Sequence, residues 1–218
     1  MKSPLFFVWA FFSVFNFLPV IYGLKIFQTL NKELRIFYWY LMAGLIDWLV
    51  GLFFALQSRN TLWLNNLFLP IELGFVLWLF AMWQTRLKIK YVLQFTFLGF
   101  VVVFITELII ARNLFDYTLI SGPLESVILI VASFLTIHDA NKDYDTMLTD
   151  QPRFWISTGI LLASSGVIVV QVLSHMLLQY HRDLFQYAIF VSPLSNTLAQ
   201  FLFFGGLRCH YKLQKSGG

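Results

Sequence analysis

Four carboxyl side chains lie inside long apolar stretches of this chain, at Asp47, Glu72, Glu107 and Glu125. An ionisable group inside a membrane span is energetically expensive, so it normally faces a protein interior or a wet cavity. No Lys or Arg lies deep within these stretches to balance the acids. Carboxyl groups without basic partners suit a small cation, an amine or a proton as ligand. The pattern therefore predicts an acidic binding site inside a membrane protein.

Glu72 has the strongest local signal for a functional role. Asn65 precedes it by seven residues, which places both side chains on one helical face. Pro70, two residues before the acid, lacks an N–H and so frees a backbone acceptor in the preceding turn. A membrane tolerates such a break only where protein or water satisfies the freed group. The Pro-Ile-Glu that ends at Glu72 is echoed by the Pro-Leu-Glu that ends at Glu125. We therefore expect Asn65, Glu72 and Glu125 in the predicted site.

Four further residues are candidates for ligand binding, and three of them have an alternative interpretation. Asp47, near the middle of its stretch, is either a proton or cation site or an acid hydrogen-bonded to a neighbouring helix. Glu107 either joins the site or extends to the outer interface toward Arg112. His175 is either a ligand-binding residue or a hydrogen-bonded structural one. Asn196 aligns with Ser192 and Gln200 on a polar seam of the last apolar stretch, and this seam is expected to face the bundle.

The composition shows which kind of fold must position these side chains. The chain has 218 residues, of which 59% are hydrophobic and 12% charged, whereas soluble domains have about 25% charged residues. A membrane-spanning helix needs about 20 apolar residues. The predicted fold is an all-α polytopic membrane protein, a single seven-transmembrane-helix bundle over residues 1–218, with spans at 5–23, 36–56, 63–83, 91–111, 118–137, 154–177 and 186–207.

Basic residues in the loops predict the orientation of the chain. Eleven of the fifteen Lys and Arg residues fall on the side that carries the C-terminus, and such loops are normally cytoplasmic. We therefore expect an external N-terminus, a cytoplasmic C-terminus and a multi-pass location in the inner (plasma) membrane. The net charge of +4 then reflects loops that face anionic lipid. The expected partner is the lipid bilayer, and no nucleic acid is needed to explain the charge.

Several kinds of chemistry lack the residues that they need. The last stretch has no Lys for a retinal Schiff base, and only His175 of the four histidines falls in a span, too few for a zinc hydrolase. No Gly-rich phosphate loop and no G-x-S-x-G motif is present. The acidic loop 138–153 has Tyr144 where a calcium loop needs Gly. Cys209 is the only cysteine, so no disulfide can form within the chain. No metal site and no cofactor are predicted.

Three segments carry a family resemblance: Asn65–Glu72 (NNLFLPIE), Phe154–Gly159 (FWISTG) and Ser195–Phe203 (SNTLAQFLF). They resemble a group of small seven-helix membrane proteins common in Bacteroidetes-type bacteria, and the resemblance spans most of the chain. It implies the fold and the compartment only, because that group has no assigned activity. The sequence departs from the group at Leu161–Ala163 (LLA), where an aromatic residue is expected.

These observations lead to three functional hypotheses. The first is a receptor-like or sensor protein with an outward-facing acidic pocket for a cation, an amine or a proton. The second is a small proton- or cation-coupled transporter that uses Asp47 and Glu72 as carriers. The third is a membrane-embedded hydrolase in which the acids and His175 act in general acid–base catalysis, although no nucleophile is evident. A transporter should expose Asp47 to both sides in turn, whereas a sensor should need a cytoplasmic partner at the basic loops.

Overall fold

The computed structural model describes residues 12, 14–57, 59–111, 120–141, 147–180 and 190–216, with the backbone alone at 111, 173–180 and 216. Every regular element in these ranges is helical. Two short 3₁₀ turns lie at Phe27–Thr29 and Leu148–Asp150. The α-helices of the described ranges are α1 Phe17–Lys25, α2 Lys32–Leu56, α3 Leu62–Trp83, α4 Leu87–Ala111, α5 Ser121–Ala140, α6 Pro152–Tyr180 and α7 Val191–Ser216.

Within the described residues, five helices are long and apolar enough to cross a membrane, namely α2, α3, α4, α5 and the Pro152–Val172 part of α6. The all-helical, multi-pass character predicted from the composition is thereby confirmed. The first part of the predicted span 5–23, residues 5–11 and 13, lies outside the described residues. α7 covers most of the predicted span 186–207 but is not among the five, and its described part includes the polar residues Ser192, Asn196 and Gln200. Seven spans therefore remain a prediction.

Local sequence signals set where several helices begin. Asn31 precedes α2 in an extended conformation, and its side-chain Oδ1 accepts a hydrogen bond from the Leu34 N–H at 3.0 Å. This contact satisfies one of the donors that a helix start leaves free. α6 begins at Pro152, a position where the missing N–H of proline has no intrahelical partner to lose. α3 continues as a helix through Pro70.

The chain divides into two compact units. The central unit comprises Asn31–Ala132, and the terminal unit comprises Met1–Leu30 together with Ser133–Gly218. Within the central unit, α3 packs against both α2 and α4. Its buried face includes Leu73 and Phe80, both fully inaccessible to solvent. α3 thus packs against the helices that precede and follow it in the chain.

Within the terminal unit, α6 and α7 pack closely because small residues face each other's helix. A Cβ atom on Gly159 would overlap the Phe203 ring and lie 3.3 Å from the Ala199 carbonyl oxygen. A Cβ atom on Gly206 would lie 2.9 Å from Ile156 Cγ1. Small residues let membrane helices approach this closely, so these two glycines fix the spacing between α6 and α7.

Candidate functional site

An acidic cluster lies within the central unit and consists of Tyr40 and Asp47 on α2, Glu72 on α3 and Glu125 on α5. The Tyr40 hydroxyl donates a hydrogen bond to Glu72 Oε1 at 2.9 Å. The charge of Glu72 interacts electrostatically with those of Asp47 and Glu125. Tyr40 interacts with both glutamates. Three helices therefore bring three carboxyl groups and one phenol together.

Helical periodicity explains how α2 supplies two members of the acidic cluster. Tyr40 and Asp47 are seven residues apart, which corresponds to about two turns and places both on one face. Gly44 lies between them on that face. A Cβ atom on Gly44 would lie 3.8 Å from Phe68 Cζ of α3, so this face of α2 is directed at the helix that carries Glu72.

Two carboxyl oxygens of the acidic cluster are open acceptors. Asp47 Oδ1 and Glu125 Oε1 are buried and have no hydrogen-bond partner among the described residues. Glu125 as a whole is only 5% exposed. Buried polar atoms are normally hydrogen-bonded, and an isolated charge in apolar surroundings is strongly unfavourable. These two oxygens can therefore receive a proton, an ammonium group or a cation.

The cluster differs from a metal cage. No three His, Cys, Asp or Glu side chains in the described part of the chain form a group suited to a metal ion. One oxygen of Glu72 is already engaged by the Tyr40 hydroxyl. The acidic cluster instead has acceptor oxygens on separate helices, and the charges of its carboxyl groups interact.

Glu107 has a structural role at the start of α5. Its Oε1 accepts a hydrogen bond from the Ile120 N–H at 2.9 Å, and its Oε2 accepts one from the Ser121 N–H at 2.8 Å. The Ser121 hydroxyl also donates to Oε2. A carboxylate at this position satisfies helix-start donors and is favoured by the helix dipole. The alternative contact with Arg112 lies outside the described residues.

The remaining predicted site residues are Asn65, Asn196 and His175. Asn65 is exposed near the start of α3, and Asn196 is exposed on α7 of the terminal unit. The side chain of His175 lies outside the described residues. The structure thus brings together Asp47, Glu72 and Glu125 from the predicted set. It adds Tyr40, whose seven-residue spacing from Asp47 was the available sequence signal.

Comparison with known protein families, characterised proteins and solved structures finds no match for this chain. A helical membrane fold alone would not identify an activity, because function depends on the chemistry of particular sites. The acidic cluster is therefore the feature of this chain that carries information about function.

Proposed function

We propose that this chain is a receptor-like or sensor protein of the inner membrane whose acidic cluster binds a small cation, an amine or a proton. The observation that carries the proposal is the pair of buried, unpartnered oxygens on Asp47 and Glu125. The charges of both acids interact with the charge of Glu72. The surrounding apolar stretches contain no Lys or Arg. Three such carboxyl groups can share a low-dielectric site only if protons or a cation offset their charge.

Infrared difference spectroscopy on the protein in lipid nanodiscs tests this proposal. The carboxyl bands are compared before and after a pH step, and before and after addition of Na⁺ or methylammonium at fixed pH. We expect at least one probe to change the bands, and Asp47→Asn and Glu125→Gln to remove part of that change. Glu33→Gln is the control, because Glu33 lies in the first turn of α2. Bands that respond to no probe, or that respond equally in the Glu125 and Glu33 variants, would overturn the proposal.

A proton- or cation-coupled transporter is the second candidate. The observation that favours it is the order of the electrostatic contacts, from Asp47 on α2 to Glu72 on α3 and then to Glu125 on α5. Successive acids on different helices are typical of proton relays in membrane proteins. Proteoliposomes separate the two candidates, because a transporter gives proton or Na⁺ flux that Glu72→Gln abolishes. A sensor binds the same probe without flux.

A further inference from the structure

An apolar groove lies between α3 and α4 of the central unit, lined by residues within Pro70–Ala81 and Leu93–Leu98. Its volume is about 650 Å³, and Gln94 is the only polar side chain among the residues that line it. Gly74 keeps the space between the helices clear, because a Cβ atom there would lie 3.2 Å from Phe97 Cε2. This cavity, named here the α3–α4 groove, is separate from the residues of the acidic cluster.

The length of the α3–α4 groove matches one leaflet of a bilayer. The α3 residues that line it run from Pro70 to Ala81, which corresponds to about 16 Å of helix at 1.5 Å per residue. The hydrocarbon core of a bilayer is about 30 Å thick. Ala81 is close to the end of α3 at Trp83. The groove therefore extends from this end of the helix to about the middle of the membrane.

Two basic residues lie at the same end of the groove. Lys90 is one helical turn before Gln94 and shares its helical face, and it is partly exposed. Arg86 is exposed just before α4, where its carbonyl oxygen accepts the Lys90 N–H at 3.2 Å. Because the α3–α4 groove is apolar and ends near two basic side chains, it is complementary to a molecule with a long apolar chain and an anionic head.

Charge must account for selectivity at this groove, because lipid tails are as apolar as the groove walls and apolar burial gives no driving force inside a bilayer. Basic side chains near the membrane surface attract anionic lipid headgroups. We propose that the α3–α4 groove binds one anionic phospholipid. Its acyl chain lies between α3 and α4, and its phosphate is bound by Arg86 and Lys90. The proposal is independent of the ligand of the acidic cluster.

Native mass spectrometry of the detergent-solubilised protein tests the headgroup site. Phosphatidylglycerol and phosphatidylcholine with identical acyl chains are added in turn, and retained lipid is counted. We expect the protein to retain one phosphatidylglycerol in preference to phosphatidylcholine. Arg86→Gln and Lys90→Gln should each reduce that preference about fivefold. Lys88→Gln removes the same charge about 200° around the helix from Lys90 and should leave the preference unchanged.

A second pair of variants tests the acyl-chain site. Leu98 lines the groove and is 58% exposed, so Leu98→Trp places a bulky indole ring in the acyl-chain site and should abolish retention of both lipids. Val102→Trp is the control, since Val102 is 64% exposed one turn further along α4 and does not line the groove. If Leu98→Trp is not monodisperse, Ile71→Trp on the facing helix makes the same test. The proposal is overturned if Lys88→Gln lowers the lipid preference as much as Lys90→Gln does, or if Val102→Trp lowers retention as much as Leu98→Trp does. It is also overturned if the unmodified chain retains no lipid.

Discussion

Replacing Glu107 with Ala should destabilise the fold, because this carboxylate satisfies donors at the start of α5. Ser121 is fully buried, so the variant leaves its N–H and its hydroxyl without the carboxylate in a place that water cannot reach. Ile120 is 60% exposed, so its N–H can find another partner. A buried donor that loses its partner costs about 1–3 kcal/mol, and loss of a helix cap costs about 0.5–2 kcal/mol.

The expected loss for Glu107→Ala is therefore about 2–4 kcal/mol of unfolding free energy. Glu107→Gln keeps one acceptor oxygen but turns an amide group toward donors, so about half of that loss is expected. Reversible unfolding in mixed dodecylmaltoside and sodium dodecyl sulfate micelles, followed by far-ultraviolet circular dichroism, measures both values.

Thr106→Ala is the matched control for this measurement. Thr106 is the neighbouring residue and is exposed, and its hydroxyl donates to the Val102 carbonyl oxygen of its own helix at 2.8 Å. Exposed substitutions of this kind usually change stability by less than about 0.5 kcal/mol. The capping argument fails if Glu107→Ala unfolds like Thr106→Ala.

Three further predictions concern other parts of the chain. Gly159→Ala should cost about 1–3 kcal/mol of unfolding free energy by overpacking, whereas Gly99→Ala, with nothing within 4 Å, should cost none; equal denaturation midpoints would refute this. Burial and, secondarily, Asp150 raise the pKa of the Cys209 thiol, against a lowering by Lys212. Because the thiolate is the reactive form, iodoacetamide should label Cys209 more slowly at neutral pH than it labels a free cysteine. Asp150→Asn should speed this labelling, and Lys212→Gln should slow it. Identical pH–rate profiles for the two variants and the unmodified chain would contradict the electrostatic effect of these two residues. A cysteine-bearing N-terminal tag should react with an impermeant maleimide in intact cells, and reaction only after permeabilisation would refute the predicted orientation.

Apolar length predicted the helices more reliably than it predicted where they end. The span predicted at 36–56 belongs to a helix that begins at Lys32, and the span predicted at 91–111 belongs to one that begins at Leu87. In both cases the helix begins about one turn before the predicted span, among charged residues that a hydropathy criterion excludes from a span. Long basic side chains can lie on a helix end and still reach water, so the backbone stays helical beyond the hydrocarbon.

The sequence identified the acids but not which of them meet. Periodicity places Asp47 two turns from Tyr40 on α2, and this relation needs no tertiary information. That Glu72 and Glu125 face them depends on how α2, α3 and α5 pack, which short apolar motifs do not encode. The sequence also did not predict that Glu107 caps α5, since its donors at Ile120 and Ser121 lie 13 and 14 residues further along the chain.

The four acids show why a carboxyl group in an apolar helix does not by itself identify a ligand site. Glu107 accepts hydrogen bonds from the Ile120 N–H, the Ser121 N–H and the Ser121 hydroxyl, and Glu72 accepts one from the Tyr40 hydroxyl. Asp47 Oδ1 and Glu125 Oε1 have none among the described residues. Since a buried oxygen is stable only with a donor or a neutralising charge, the need for an external ligand rises in that order. Replacement of Glu107 should therefore impair folding first, whereas replacement of Asp47 or Glu125 should impair binding while the fold persists.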